Sequence, residues 1–161
     1  MMRRFFLFLC FLCFFITEAL PVIAEVPSPV TFEVSRLIIS GADGRDHSFT
    51  VELALSAPQR ARGLMFRDRL ARDAGMLFLW EDEAPRRMWM KNTMVPLDMI
   101  FFDKEGRIIH IEHTATPYTE QTISSGGAAQ GVLELAGGTS RLLGIVAGDW
   151  VVHPLLPPLA R

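Results

Sequence analysis

Polar side chains interrupt a half-buried strand pattern at Trp89-Met90-Lys91-Asn92-Thr93-Met94-Val95-Pro96-Leu97-Asp98, and four of them could do chemistry: Lys91, Asn92, Thr93 and Asp98. Lys91 supplies a flexible point charge, while Asn92 and Thr93 supply donors and acceptors at a turn. Such a set suits an anionic or hydroxyl-rich group, either a small molecule or an envelope component. A structural reading stands beside it, in which Lys91 pairs internally with an acid such as Asp98 and the turn residues satisfy their own backbone.

A second constellation is made of sulfur and imidazole. Met88, Met90 and Met94 lie near His110 and His113 in sequence, and thioethers with imidazole suit Cu(I) in an oxidising compartment. A metal set of Met88, Met90, Met94 and His110 is the minor alternative. The major expectation is no metal, because Met88, Met90 and Met99 occupy strand positions that bury apolar residues and methionine fills core gaps well. His110 and His113 have an odd separation, so a regular strand points them to opposite faces.

The elements that position these residues begin after an export segment. Arg3 and Arg4 precede an apolar run over residues 5–16, and Val22-Ile23-Ala24 fits a peptidase site, so residues 1–24 read as a cleaved signal peptide and the product as periplasmic or secreted. Twelve apolar residues are too few for the roughly 20 of a spanning helix, although a retained anchor is the other reading. Removing Arg3, Arg4 and Glu18 from 16 basic and 18 acidic residues leaves 14 and 17, a formal charge of −3. No basic field remains for a phosphate backbone, which argues against a nucleic-acid partner. Both cysteines, Cys10 and Cys13, leave with the signal, so the mature domain has no disulfide and no thiolate site. No cofactor motif is present either: the chain has no Gly-rich phosphate loop, nucleophile elbow or paired-His helix.

Residues 25–34 read as a linker and approach to the domain, 35–153 as one β-rich domain, and 154–161 as a tail. Residues 31–39 and 48–55 are strands around a Gly/Asp turn, a hairpin. Ser56-Ala57-Pro58-Gln59 spells a capping box, and Ala61, Leu64 and Met65 form an apolar stripe for a short helix, weakened by Gly63. Further strands are expected at 75–80, 87–91, 97–102 and 107–114, the last two joined by Asp103-Lys104-Glu105-Gly106. Residues 115–130, with Pro117 and Ser124-Ser125-Gly126-Gly127, read as a long loop. A strand follows at 131–135, then one helical turn capped by Thr139, then Trp150-Val151-Val152. Seven or eight short strands with one or two short helices predict a mainly β fold, a small barrel or sandwich, with α+β as the alternative.

Several ordered motifs now carry a resemblance. Arg62-Gly63-Leu64-Met65, Gly75-Met76-Leu77-Phe78, Trp89-Met90-Lys91-Asn92-Thr93 with Pro96-Leu97-Asp98, Leu133-Glu134-Leu135 and Gly148-Asp149 together resemble the bacterial and archaeal domain of unknown function 192 family. The likeness spans about residues 35–152. It implies a β-rich single domain, usually exported, with no assigned reaction or ligand. The residues it singles out are Arg62, Lys91, Asn92, Thr93, Asp98 and Glu134. Arg62 offers a planar fork to a carboxylate or phosphate; structurally, Arg62 or Lys91 could instead pair with Asp98 or Glu134. Asp98 and Glu134 could also be paired carboxylates of a hydrolase acting on envelope or sugar substrates. The sequence therefore favours a binding or envelope-interaction module over an enzyme, and names no ligand or other partner.

Overall fold

The computed structural model describes residues 29–159, so the expected signal segment and both cysteines lie outside the described residues. Seven strands and two short helices form: β1 (Glu33–Ser40), β2 (Asp46–Ala54), α1 (Ala57–Arg62), β3 (Ala74–Met88), β4 (Leu97–Phe102), β5 (Ile108–Ala115), β6 (Ile123–Ala136), α2 (Thr139–Leu143) and β7 (Trp150–Val152). The mainly β expectation holds. One mixed sheet runs in the order β5-β4-β6-β3-β2-β1-β7. Among the described residues no helix is long and apolar enough to cross a membrane.

The β1–β2 hairpin forms as its turn chemistry requires, pairing Glu33 with Leu53 and Ser40 with Asp46. From β2 the chain must reach β3, which runs parallel to it, and parallel neighbours need a crossover rather than a tight turn. That crossover is α1 with residues 63–73. The capping box that starts it is complete: the Ser56 hydroxyl accepts from the Gln59 N–H at 3.4 Å, and Gln59 Oε1 accepts from the Ser56 N–H at 2.8 Å. Gly63, read in the sequence as a weak point inside the helix, is where the helix stops. It adopts a positive φ of 47°, and a Cβ there would lie 3.3 Å from the Phe78 ring.

Two expectations change around β3 and β6. The strands expected at 75–80 and 87–91 become one strand that ends at Met88, bent by a register shift between Leu79 and Ala84, and residues 89–91 lie beyond it. Its partner is the segment read as a loop. Residues 123–130 extend β6, with Arg87 opposite Ser124 and Met88 opposite Ile123. The Ser-Gly-Gly chemistry makes an irregularity rather than an end: the Ser125 hydroxyl accepts from the Arg86 N–H at 2.9 Å and donates to the Gly127 carbonyl at 2.5 Å, and Gly126 has a φ of 72°. A side chain thus takes over ladder bonds that the bulge removes.

Because the last strand, β7, joins the sheet beside β1, the sheet's two edges meet at one end. Ile108 N–H donates to the Asp149 carbonyl at 2.8 Å and Val151 N–H to the Gly106 carbonyl at 2.7 Å, and the sheet curls into a half-barrel. Period-two alternation then fills both faces. Leu37, Val51, Leu77, Ile100 and Leu133 lie in the cluster on one face, with Met76, Phe78, Met99, Phe101 and Val132 in the cluster on the other. The packed unit also reaches beyond residues 35–153. Phe32 packs on the second cluster, and Leu156, only 8% exposed, belongs to the first.

Candidate functional site

Asp98 and Glu134 sit on neighbouring strands but on opposite faces of the sheet. Asp98 pairs with Leu135 and Met99 pairs with Glu134, so alternation sends the two carboxyls apart. They cannot act on one bond, and the paired-carboxylate hydrolase reading has no geometry here.

Asp98 is fully buried and accepts four hydrogen bonds. Its Oδ1 takes the Thr114 N–H at 2.8 Å and the Gly138 N–H at 2.9 Å; its Oδ2 takes the Ser140 N–H at 2.8 Å and the Ser140 hydroxyl at 2.6 Å. Burial pushes this carboxyl up, but the bonds from Ser140, Gly138 and Thr114 outweigh burial and hold it below the ordinary carboxylate range. It also replaces the cap expected from Thr139. The N-cap of α2 is Gly138, which has no side-chain cap, and Asp98 reaches across from β4 to satisfy the first N–H groups of the turn. His113 Nδ1 lies 2.8 Å from the Ser140 oxygen. The serine's single proton goes to Asp98, so Nδ1 donates to the serine. Serine, histidine and aspartate are thus brought together with the serine in the middle and wholly buried, which is a structural latch and not a nucleophile with its base.

Lys91 and Asn92 are also occupied. Lys91 lies 3.4 Å from Glu120 and its ammonium sits 5.2 Å from the Trp89 ring centre, so its internal partner is neither Asp98 nor Glu134. Asn92 adopts a φ of 54°; its carbonyl accepts from the Phe66 N–H at 2.9 Å, and its amide nitrogen is 3.9 Å from the Met65 sulfur. The Thr93 carbonyl accepts from the Tyr118 N–H at 3.1 Å, and Met90 N–H donates to the Thr119 carbonyl at 3.0 Å. The 89–93 segment therefore stitches together the loop after α1 and the loop before β6. Phe66 (φ 64°) and Tyr118 (φ 61°) join Asn92 in the left-handed region. Each such residue without glycine's freedom costs on the order of 1 kcal/mol or more, and clusters of this kind mark ligand clamps and switch regions.

The cavity beside this stitch holds what remains. It measures about 240 Å³ and lies between the end of α1, β3 and the 89–93 segment, with Arg62, Thr93 and Glu134 in its lining. Those three of the six singled-out residues converge; Lys91, Asn92 and Asp98 do not line it. Glu134 is 4% exposed. Among the described residues its carboxyl has no hydrogen-bond partner and no ion pair, so the Arg62–Glu134 pairing does not form. Its strand neighbours on the same face are Met76 and Met99, both fully buried. A Cβ on Gly75 would lie 2.5 Å from the Glu134 carbonyl oxygen, which shows how closely β3 approaches β6 here. Burial pushes the Glu134 carboxyl up to about 8.

Aromatic faces make up much of the wall. Phe78 and Trp80 stack at 6.5 Å, and the Trp80 face takes the guanidinium groups of Arg60 at 5.2 Å and Arg86 at 4.6 Å. Arg62 lies 4.7 Å from the Phe66 ring centre. Neither Arg62 nor Arg87, both exposed, has a side-chain hydrogen bond or ion pair among the described residues. Alternation read along 87–91 puts Arg87 and Trp89 on one face, a signal that could have added both to the site, although β3 itself ends at Met88; the Arg60–Trp80–Arg86 arrangement leaves no mark at sequence level.

The sulfur and imidazole groups stand in different surroundings. Met90 is enclosed in the core, Met94 is 36% exposed, and His110 stacks on Phe101 at 5.7 Å. His113 faces Ser140 on the other side of the sheet, as the odd spacing predicts. No group of three or more His, Cys, Asp or Glu among the described residues could hold a metal ion.

Comparison with curated proteins finds no match. A Sinorhizobium meliloti 1021 crystal structure, described as "a putative transcription regulator", is 43% identical with a TM-score of 0.75, over 77% of this chain and 96% of that one. A Novosphingobium aromaticivorans DSM 12444 crystal structure, described as a protein of unknown function, is 35% identical with a TM-score of 0.73, over 84% and 94%. Residues 38–153 match DUF192, described as Uncharacterized ACR, and with that extent of agreement the chain belongs to the DUF192 family.

Proposed function

We propose that this protein is an exported binding module, and that the cavity at the end of α1 takes a small anionic molecule with an apolar body. The observation that carries the reading is the pair of guanidinium groups, Arg62 and Arg87, which among the described residues have no hydrogen bond or ion pair to the protein, Arg62 resting only on the Phe66 ring, beside a cavity walled by Phe78, Trp80 and Trp89. Guanidinium forks bind carboxylate or phosphate bidentately, and the rings receive apolar surface. A cavity of about 240 Å³ is below the range of drug-sized sites, so the ligand is small. The description of the S. meliloti relative does not extend easily to this chain, whose formal charge is −2 and whose free arginines border a cavity rather than form a basic field.

Calorimetric titration with hexanoate and hexyl phosphate tests the site. Arg62→Ala and Arg87→Ala should each weaken binding about tenfold, the loss expected for a partly exposed charge-assisted hydrogen bond. Unchanged affinity in both variants removes the reading. Export rests on the cationic start and apolar run of residues 1–24. Sequencing the N-terminus of the protein recovered outside the cytoplasm should find it beginning near Glu25, and an intact Met1 there would exclude cleavage.

A further inference from the structure

Glu134 adds a second requirement on whatever the cavity holds. An ionised carboxylate offers acceptor sites to about four donors, and a buried one ordinarily has its partners inside the protein. Glu134 has none among the described residues; the residue is 4% exposed, and its carboxyl oxygens open onto the cavity rather than onto a protein donor. Its in-sheet neighbours, Met76 and Met99, carry no charge. The charged groups facing the cavity from the surrounding elements are Arg60, Arg62 and Arg87. Arg60 is committed to the Leu55 and Leu79 carbonyls and to the Trp80 face.

The walls favour a cation next to that acid. Ring faces attract positive charge; Trp80 and Trp89 already carry Arg60, Arg86 and Lys91, whereas the Phe78 ring in the same lining has no cation over it among the described residues. A hydroxyl would satisfy the hydrogen bonding of Glu134 but would gain nothing from the rings.

We propose that the ligand is a small zwitterion, with an ammonium group seated on Glu134 and its anionic group held by Arg62 and Arg87. This rests on the anion site described above and adds the opposite end of the molecule. Without ligand, burial keeps Glu134 protonated at neutral pH, its carboxyl being pushed up to about 8. Arrival of an ammonium exchanges that proton for a fixed positive charge: the O–H bond breaks, the proton leaves to solvent, and the carboxylate pairs with the ammonium. Binding therefore releases up to one proton below about pH 8.

The test titrates the full chain with ω-amino carboxylates from 3-aminopropanoate to 6-aminohexanoate, with hexanoate and hexylamine as one-ended controls. Buffers of different ionisation enthalpy count the protons released. One chain length should bind at least about tenfold more tightly than either control, with proton release at pH 6.5. Glu134→Gln keeps the shape and removes the charge; it should abolish that advantage and the proton release. If hexanoate binds as tightly as every amino acid, or if E134Q keeps the preference, the assignment of Glu134 is overturned while the anion site stands. If neither hexanoate nor any of the amino acids binds the wild type, both are overturned.

Discussion

Replacing Asp98 with alanine should cost about 3–5 kcal/mol, the largest loss expected from any polar substitution in this domain. The substitution removes the acceptor of three backbone N–H groups and one hydroxyl at once, and the two bonds from Ser140 are wholly buried. No water-facing route replaces that acceptor, since Asp98 and Ser140 are both fully buried. Asp98→Asn should cost less than alanine but still more than 1 kcal/mol, because its amide NH₂ would confront N–H donors that the carboxylate accepts. Denaturant midpoints measure both effects. Hydrogen exchange adds a local signature: the Gly138 and Ser140 amides at the start of α2 should lose protection before β6 does, because Asp98 is their shared acceptor. A loss under about 1 kcal/mol for the alanine variant would sink this account of Asp98 as the latch between β4 and α2.

Glu134→Gln should act in the opposite direction, stabilising the empty protein at neutral and higher pH. The folded carboxyl titrates near 8 and the unfolded one near 4.5. The unfolded chain therefore gives up its proton first as pH rises. The wild type keeps its full stability below about pH 4.5 and loses part of it progressively up to about pH 8, after which the loss levels off. Gln has no proton to lose, so the gap between variant and wild type should be small at pH 4.5 and widen to roughly 2–4 kcal/mol by pH 8. Access of water through the cavity keeps the gap below the value that the whole shift would imply. Denaturant melts across that range measure it, and a gap that does not change with pH would remove the buried, partnerless carboxyl from the picture. The same experiment bears on function. A residue that destabilises the empty protein where it is ionised is tolerated most easily if something brings a counter-charge, and sites of function are where such strain is retained.

The two carboxyls illustrate how much was legible in the chain. Both could be singled out as acids interrupting apolar runs, and the motifs around them carried the family resemblance. Their roles could not be separated. Alternation within residues 97–102 says that Asp98 faces away from Met99, but only the pairing of Met99 with Glu134 shows that the two acids lie across the sheet from each other. That pairing joins residues more than thirty positions apart, and no local propensity encodes it.

Local chemistry was read correctly where its cause is local. The capping box at Ser56 and Gln59, the hairpin between β1 and β2, the hairpin turn at residues 103–106 and the opposite orientations of His110 and His113 depend on residues within a few positions of each other, and all formed. Residues 115–130 failed for the converse reason. Ser-Ser-Gly-Gly has the composition of a loop, and it becomes strand because β3 extends alongside and Ser125 supplies the bonds that the bulge breaks. Thr139 failed similarly, since a cap can come from a distant strand as well as from the residue before the helix.

By itself the sequence determined the mainly β character, the strand faces, the first helix cap and membership of a recognisable family, because hydrophobic period and turn chemistry act over short range. Tertiary structure alone decided that Asp98 is a latch, that Lys91 belongs to Glu120, and that Arg62 and Glu134 meet at a cavity without pairing. Strand order, desolvation and the presence of a partner are properties of neighbours brought from elsewhere in the chain, and they turn a glutamate in an apolar strand into a buried carboxyl without a partner among the described residues.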